Sequence, residues 1–176
     1  SALVTVKDSK TTVNVPVTVT GTTASGAKYS LLAWNDLGMH CVDGKDYSVF
    51  SILPPYNNLH AQVLLRDLTA NKLVTSGISL TYESVADATG SINTTSVRKT
   101  NFWSWVQQLF GASPPNDIGL TGNPTPARTP APMTYSPADK LWQATGIPVT
   151  PYDDSGAKSF YPMVKVVARD SSGREL

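Results

Sequence analysis

Soft and titratable side chains are concentrated between residues 29 and 62 of this 176-residue chain. That stretch contains the single cysteine, Cys41, and both histidines, His40 and His60. Met39 adds a thioether beside the imidazole of His40 and the thiol of Cys41. Thioether, thiolate and imidazole groups are ligands that suit copper or zinc. The sequence therefore predicts a copper or zinc site with His40, Cys41 and His60 as ligands and Met39 as a weak fourth ligand.

The predicted site requires a loop, because neighbouring side chains on an extended strand point to opposite faces. Gly38 and Gly44 flank the three adjacent candidates and favour a loop there. His60 follows the turn residues 54–58, from which the chain can fold back. The order of ligands differs from that of blue-copper proteins, since no histidine and methionine follow Cys41 within a few residues.

Other interpretations of these residues stay open. A buried free cysteine with structural or exposed histidines gives the same pattern, because a free cysteine usually behaves as a small apolar side chain. A thiol hydrolase would use Cys41 as nucleophile and His60 as base. Asp36, Asp43 and Asp46 have the oxygen atoms that calcium prefers, but aspartates that cap solvated turns have the same spacing.

Aromatic residues suggest a different kind of binding. A carbohydrate-binding module stacks sugars on exposed, planar aromatic side chains, and the candidates are Trp34, Trp103, Trp105, Trp142, Tyr56 and Tyr82. Tryptophans on an amphipathic helix more often fill a core. Their exposure distinguishes the two interpretations.

Composition limits the fold and the partners. The chain is 40% hydrophobic, and a chain of this length can bury a core without disulfides. The net charge is only +1 and the sequence has no run of basic residues, so it shows no sign of the basic surface that binds nucleic acids. No apolar run reaches the 18 residues that a transmembrane helix needs. We predict one domain that spans residues 1–176.

Apolar alternation is typical of strands. It predicts an immunoglobulin-like β-sandwich, mainly all-β, because short strands are separated by turn signals. The continuously apolar strand 29–34 is expected to be central, and Pro16 places its strand at an edge. The predicted strands are residues 3–6, 12–20, 29–34, 47–53 (or a turn), 59–66, 72–76, 78–85, 147–150 and 160–169.

One helix is predicted, at residues 101–110, where apolar residues recur at helical spacing and Gly111 suits the C-terminal cap. Residues 113–137 are rich in proline and predict a long irregular arm, neither helix nor central strand. Residues 137–144 predict a short helical turn, and residues 153–156 a turn. The last residues, 170–176, read as a turn and the start of a returning strand, so the chain is expected to be an excerpt of a longer protein.

Several runs carry a family resemblance: AWNDLGMHC, DYSVFSILPPYNNLHAQ, NTTSVRKTNFWSWVQQLFG, GLTGNPTP and YPMVKVVARD. Together they resemble uncharacterised large secreted proteins of proteobacteria, some of which carry c-type haem motifs elsewhere in the chain. The resemblance implies a periplasmic or extracellular, redox-associated protein. Its partners would be other domains of the same larger protein or a redox partner. This chain has no haem attachment motif, since it lacks a second cysteine.

The function predicted from the sequence is that of an exported, non-enzymatic β-sandwich module that binds a metal or is redox-associated. Two alternatives remain. One is a structural or interaction module without metal, and the other is a carbohydrate-binding module.

Overall fold

The structure, a computed structural model, describes residues 2–7, 12–17, 28–35, 45–49, 53–66 and 70–176, and for the first two ranges it describes the backbone. These residues form nine β-strands and one α-helix. In chain order the elements are β1 (Ala2–Lys7), β2 (Thr12–Val17), β3 (Tyr29–Asn35), β4 (Tyr56–Leu65), β5 (Lys72–Val74), β6 (Ile78–Val85), α1 (Phe102–Phe110), β7 (Ala131–Ser136), β8 (Leu141–Pro148) and β9 (Met163–Asp170).

Seven of the described strands form one antiparallel sheet in the order β3-β4-β8-β7-β6-β9, with β5 paired to β4. β1 and β2 form a separate two-stranded sheet, which leaves Pro16 on an edge strand of the described pairing. The larger sheet curls into a nearly closed, sandwich-like arrangement with β3 and β9 at its two ends. The predicted all-β, sandwich-like class with one short helix is confirmed.

The main core covers the inner face of this sheet. Alternation along each strand sends every second side chain inward, and on β4 these are Ala61 and Val63, both fully buried. Their partners are apolar side chains of the neighbouring strands: Leu80, Tyr82, Met133, Trp142, Ala144, Ile147 and Ala168. His60 and Gln62 alternate with Ala61 and Val63, so they belong to the outer face of β4.

β7 lies inside the stretch predicted to be an irregular arm, so that prediction is wrong for residues 131–136. The strand occupies an interior place in the sheet and changes partner along its length. Residues 131–133 pair with β6, and residues 134–136 pair with β8. Pro132 therefore lies where β7 pairs only with β6, and its missing N–H interrupts no pairing on the β8 side. Residues 113–130 are irregular, as predicted.

α1 forms as predicted and builds a second core cluster. Phe102 and Val106, four residues apart, are buried on one side of the helix and pack with Tyr47. The helix ends at Gly111, whose φ of 69° is the left-handed cap conformation that glycine adopts without strain. The ring of Tyr56 on β4 lies 5.6 Å from that of Phe102, which joins the helix to the sheet.

Two other predictions about elements are wrong. β3 is at one end of the described strand order rather than central, because its apolar run includes the exposed Leu32 and Trp34. Residues 141–144 belong to β8 instead of a helical turn, because Trp142 and Ala144 face the core. Residues 47–49 form a turn, which is one of the two alternatives predicted for residues 47–53.

Three turns share the sequence Asp-x-Ser/Thr-Gly and one geometry. They begin at Asp87, Asp153 and Asp170. In each, the aspartate Oδ1 accepts hydrogen bonds from the N–H and hydroxyl of the residue two positions later. The glycine has φ of 85° or 86°, which favours glycine over other residues. The predicted turn at residues 153–156 is thereby confirmed.

The chain after β9 turns back as predicted. Glu175 pairs with Arg169, and the Leu176 N–H donates to the carbonyl oxygen of Ala168 at 3.1 Å. The described pairing gives β9 one full-length neighbour, β6.

Candidate functional site

His60 is the one predicted metal ligand that lies within the described part of the chain. It stands on β4 opposite Trp34 of β3 in the strand register. The two rings meet edge to face, with centroids 5.9 Å apart. Trp34 is 40% exposed, whereas His60 is half-buried. The imidazole therefore lies at the outer surface of the sheet, covered on one side by an indole ring.

Polar residues continue the line of Trp34 and His60 across the outer face of the sheet. On β8, Gln143 is the register partner of His60, and Thr134 of β7 is the partner of Gln143. Directly opposite residues on one face of a sheet have Cβ atoms about 4.5–5.5 Å apart. Trp34, His60, Gln143 and Thr134 thus form a continuous cross-strand row, which we call the outer row.

The other predicted metal ligands, Met39, His40 and Cys41, lie outside the described residues, as do Asp36 and Asp43. Within the described ranges, no three His, Cys, Asp or Glu side chains gather in a way that could hold a metal ion. The predicted site thus stays a prediction that depends on residues 39–41.

Asp46 is the one described member of the three aspartates that could bind calcium or cap turns. Its Oδ1 accepts hydrogen bonds from the N–H and hydroxyl of Ser48 and from the Asn101 amide. The Ser48 hydroxyl is the main cause of a lowered pKa for Asp46. This carboxylate therefore ties the turn at residues 45–49 to the start of α1.

Most aromatic residues of the proposed carbohydrate platform are structural. Trp142 and Tyr82 belong to the main core, while Trp103, Trp105 and Tyr56 pack in the cluster around α1. Burial also raises the pKa of the Tyr82 hydroxyl, which donates to the Thr125 carbonyl oxygen. Trp34 differs from them, because it lies on the outer face and is exposed.

A buried polar network was missed by the sequence analysis. Lys99 is only 8% exposed, and its Nζ lies 2.7 Å from Asp154 Oδ1 and 2.8 Å from Asn93 Oδ1. Asp154 also accepts hydrogen bonds from the N–H and hydroxyl of Thr94. The turn predicted at residues 153–156 therefore has a second role, because Asp154 anchors the loop before α1. A lysine close to a run of Ser, Asn and Thr residues was the available signal.

A second missed network surrounds Asp117. This residue is 6% exposed, and its Oδ1 accepts from both the N–H and the hydroxyl of Ser96, at 2.7 and 2.5 Å. Its Oδ2 accepts from the Thr95 hydroxyl at 2.8 Å and forms an ion pair with Arg128. The network joins three irregular segments of the chain.

Known proteins give no further assignment. The chain matches no protein-family model, no curated protein and no solved structure. None of the described helices is long and apolar enough to cross a membrane.

Aspartate pKa values predict a loss of stability in acid. Hydrogen bonds from Ser155 and Ser91, opposed by burial, lower the pKa of Asp153 to about 2 from 3.8. The pKa of Asp154 is lowered too, because hydrogen bonds from Lys99 and Thr94 outweigh its burial. Folding favours the ionised form of both carboxyls, so both stabilise the fold above their unfolded pKa and less so as the pH falls below it. For Asp153 this contribution is lost as the pH drops towards 2. Urea unfolding at successive pH values should show this decline.

The matched variant for this titration is Asp153→Asn, which removes the charge and keeps the shape. Its unfolding free energy should vary less with pH across the same window. A wild-type stability that stays constant from neutral pH to about pH 2 would contradict the prediction.

Proposed function

We propose that the chain is a non-enzymatic binding module of an exported protein, and that it binds a copper or zinc ion through His60, His40, Cys41 and, more weakly, Met39. The observation that carries the proposal is the place of His60. Its imidazole lies on the outer face of β4, and its register partner Trp34 is one residue from the end of β3. The chain leaves β3 there and enters the segment that contains the other candidate ligands.

The residues that border segment 36–44 support the proposal, because one is held at the start of β4 and the other at the start of α1. At one end, the Asn35 amide donates to Asn57 Oδ1 of β4 at 3.2 Å. At the other, the Lys45 carbonyl oxygen accepts from the Asn101 N–H at 3.1 Å. Cys41 follows Asn35 by six positions in the sequence, and an extended chain of that length spans about 20 Å. The thiol is therefore within reach of His60.

Trp34 would contribute to such a site without binding the metal. Its ring covers one side of the His60 imidazole. An aromatic neighbour limits water access and fixes the plane of the imidazole, and both properties tune a bound metal. Export and association with a redox partner are supported by the resemblance to secreted proteobacterial proteins and by the Thr- and Ser-rich strands.

The test is a competition titration of the reduced, metal-free protein with Cu(I) and with Zn(II) against a chromophoric chelator. The wild type should bind one ion. His60→Ala and Cys41→Ser should each weaken binding by at least about tenfold, because even groups behind the ligands contribute about 10–100-fold. Gln143→Ala, on the same outer row but without a proposed ligand atom, is the matched control and should bind like the wild type.

Two results would overturn the metal assignment: a wild type that binds neither ion, or a His60→Ala variant with unchanged affinity. Circular dichroism of each variant shows whether the sheet has formed. A protein without metal affinity would leave the structural or interaction module as the remaining interpretation.

Carbohydrate binding is the second candidate function, and the exposure of Trp34 favours it. An exposed indole next to polar side chains is the surface that stacks a sugar ring and bonds its hydroxyls, and Gln143 and Thr134 supply the polar groups. Soluble oligosaccharides should bind the wild type but not a Trp34→Ala variant. Binding that survives this substitution would exclude the outer row as a sugar site.

A further inference from the structure

Lys99 is a buried amine held between an amide and a carboxylate. Lysine is rarely buried unless it is paired, and this side chain is only 7% exposed. Its Nζ contacts Asn93 Oδ1 at 2.8 Å and Asp154 Oδ1 at 2.7 Å. The two contacts bring together a nucleophile, an acyl group and a base, a combination that the metal proposal does not use.

Asn93 is oriented with its carbonyl group towards the amine. It is 4% exposed, and its Nδ2 donates to the Thr150 carbonyl oxygen at 2.7 Å, which directs Oδ1 to Lys99. Because a C=O bond is about 1.2 Å long, the Asn93 Cγ lies at most about 4 Å from the Lys99 Nζ. Reacting atoms in near-attack geometry are about 3–3.5 Å apart. The attack requires the lysine side chain to rotate from its hydrogen bond with Oδ1 so that Nζ lies over the carbonyl carbon.

Asp154 is placed to move protons. Its carboxylate touches the amine directly, and it is held on its other side by the Thr94 hydroxyl at 2.6 Å. A carboxylate within hydrogen-bond reach of the group it deprotonates meets the geometric condition for a general base. Its side chain is 31% exposed, so a small leaving molecule has a way to the solvent beside it.

We propose that Lys99 and Asn93 form an intramolecular isopeptide bond, with Asp154 as the proton-transfer residue. Asp154 takes one proton from the Lys99 ammonium, and the lone pair of the neutral amine forms the Nζ–Cγ bond while the carbonyl electrons move to Oδ1. Asp154 then carries protons to Nδ2, and the Cγ–Nδ2 bond breaks. Ammonia leaves and takes up the remaining proton as ammonium. The products are a secondary amide and a regenerated carboxylate.

Asn93, rather than Asp154, is assigned as the acyl group because the reaction needs a proton-transfer residue beside the reacting amine. Attack on Asp154 would expel water and would use up the one carboxylate among the described contacts of Lys99. In the described contacts of Lys99, Asp154 supplies the carboxylate and Asn93 supplies the amide. The Asn93 reaction needs no oxidant, metal or cofactor. Its product would fix the loop between β6 and α1 covalently.

Intact mass spectrometry of the purified chain tests the proposal. The wild type should weigh less than its sequence by one ammonia. Trypsin cleaves after Arg98 but not after an acylated lysine, so digestion should give one branched peptide joining residues 73–98 to residues 99–128. Lys99→Arg and Asp154→Asn should both have the full mass. Lys165→Arg, which changes an exposed lysine in an ion pair with Glu83, should keep the loss of ammonia.

A wild type with full mass and no branched peptide would overturn the proposal, and so would a loss of water, which places the bond on Asp154. An ammonia loss that persists in Lys99→Arg would also overturn it, because such a loss arises without the amine. The branched peptide is measured on the wild type, so the test stands even if a variant fails to fold.

Discussion

Replacing Phe102 with alanine is expected to lower the free energy of unfolding by about 3–5 kcal/mol. Phe102 is completely buried and stands at the centre of the cluster around α1. The rings of Tyr47 and Tyr56 meet it edge to face, at 5.0 and 5.6 Å. Truncation removes these contacts and leaves a cavity between rings that belong to the helix, the sheet and the turn at residues 45–49.

Urea unfolding, followed by tryptophan fluorescence and circular dichroism, measures the effect. Phe160→Ala is the matched control, because it deletes the same side chain from an exposed position. It should cost less than about 1 kcal/mol. Equal losses in the two variants would show that the α1 cluster is not a cooperative part of the fold.

Replacing Asp117 with alanine is expected to cost about 3–4 kcal/mol of unfolding free energy, because two buried donors of Ser96 lose their acceptor and each unsatisfied buried group costs about 1–3 kcal/mol. The ion pair with Arg128 adds little to this figure, because the arginine side chain is half-exposed. Asp117 also has a positive φ of 69°, a conformation in which aspartate and asparagine are better tolerated than alanine.

Two further variants separate these contributions. Asp117→Asn keeps the shape and the tolerance for positive φ, so its loss of stability should be smaller than that of alanine. Asp139→Ala removes an exposed carboxylate that bonds Ser136, and it should cost less than about 1 kcal/mol. If Asp117→Ala proves as mild as this control, solvent rather than Asp117 satisfies the Ser96 donors.

The elements that local patterns specify could be predicted from the sequence. α1 depends on the spacing of Phe102 and Val106 and on the cap at Gly111, all within ten residues. The strand β6 was predicted with its correct bounds, because its alternation is regular. β7 was missed for a non-local reason, since the effect of Pro132 depends on which neighbour pairs with that half of the strand.

The site could be predicted only in part. Alternation on β4 decides that His60 faces outward, but the approach of Trp34 depends on the register between two strands. The carboxylates that complete the polar networks were not predictable, because they are far from their partners in sequence. Ser96 and Asp117 are 21 residues apart, and Lys99 and Asp154 are 55 apart. The sequence shows which residues can bond, whereas only the assembled sheet shows which of them meet.

The strand order has a consequence for how the protein is made. β4 finds β3 early, but its other neighbour, β8, is synthesised about 80 residues later, as the pairing of Ala61 with Trp142 shows. Both neighbours of β6, the strands β7 and β9, are also synthesised after it. On a ribosome, the nascent chain therefore exposes unpaired strand edges until β9 has emerged, and such edges attract other chains.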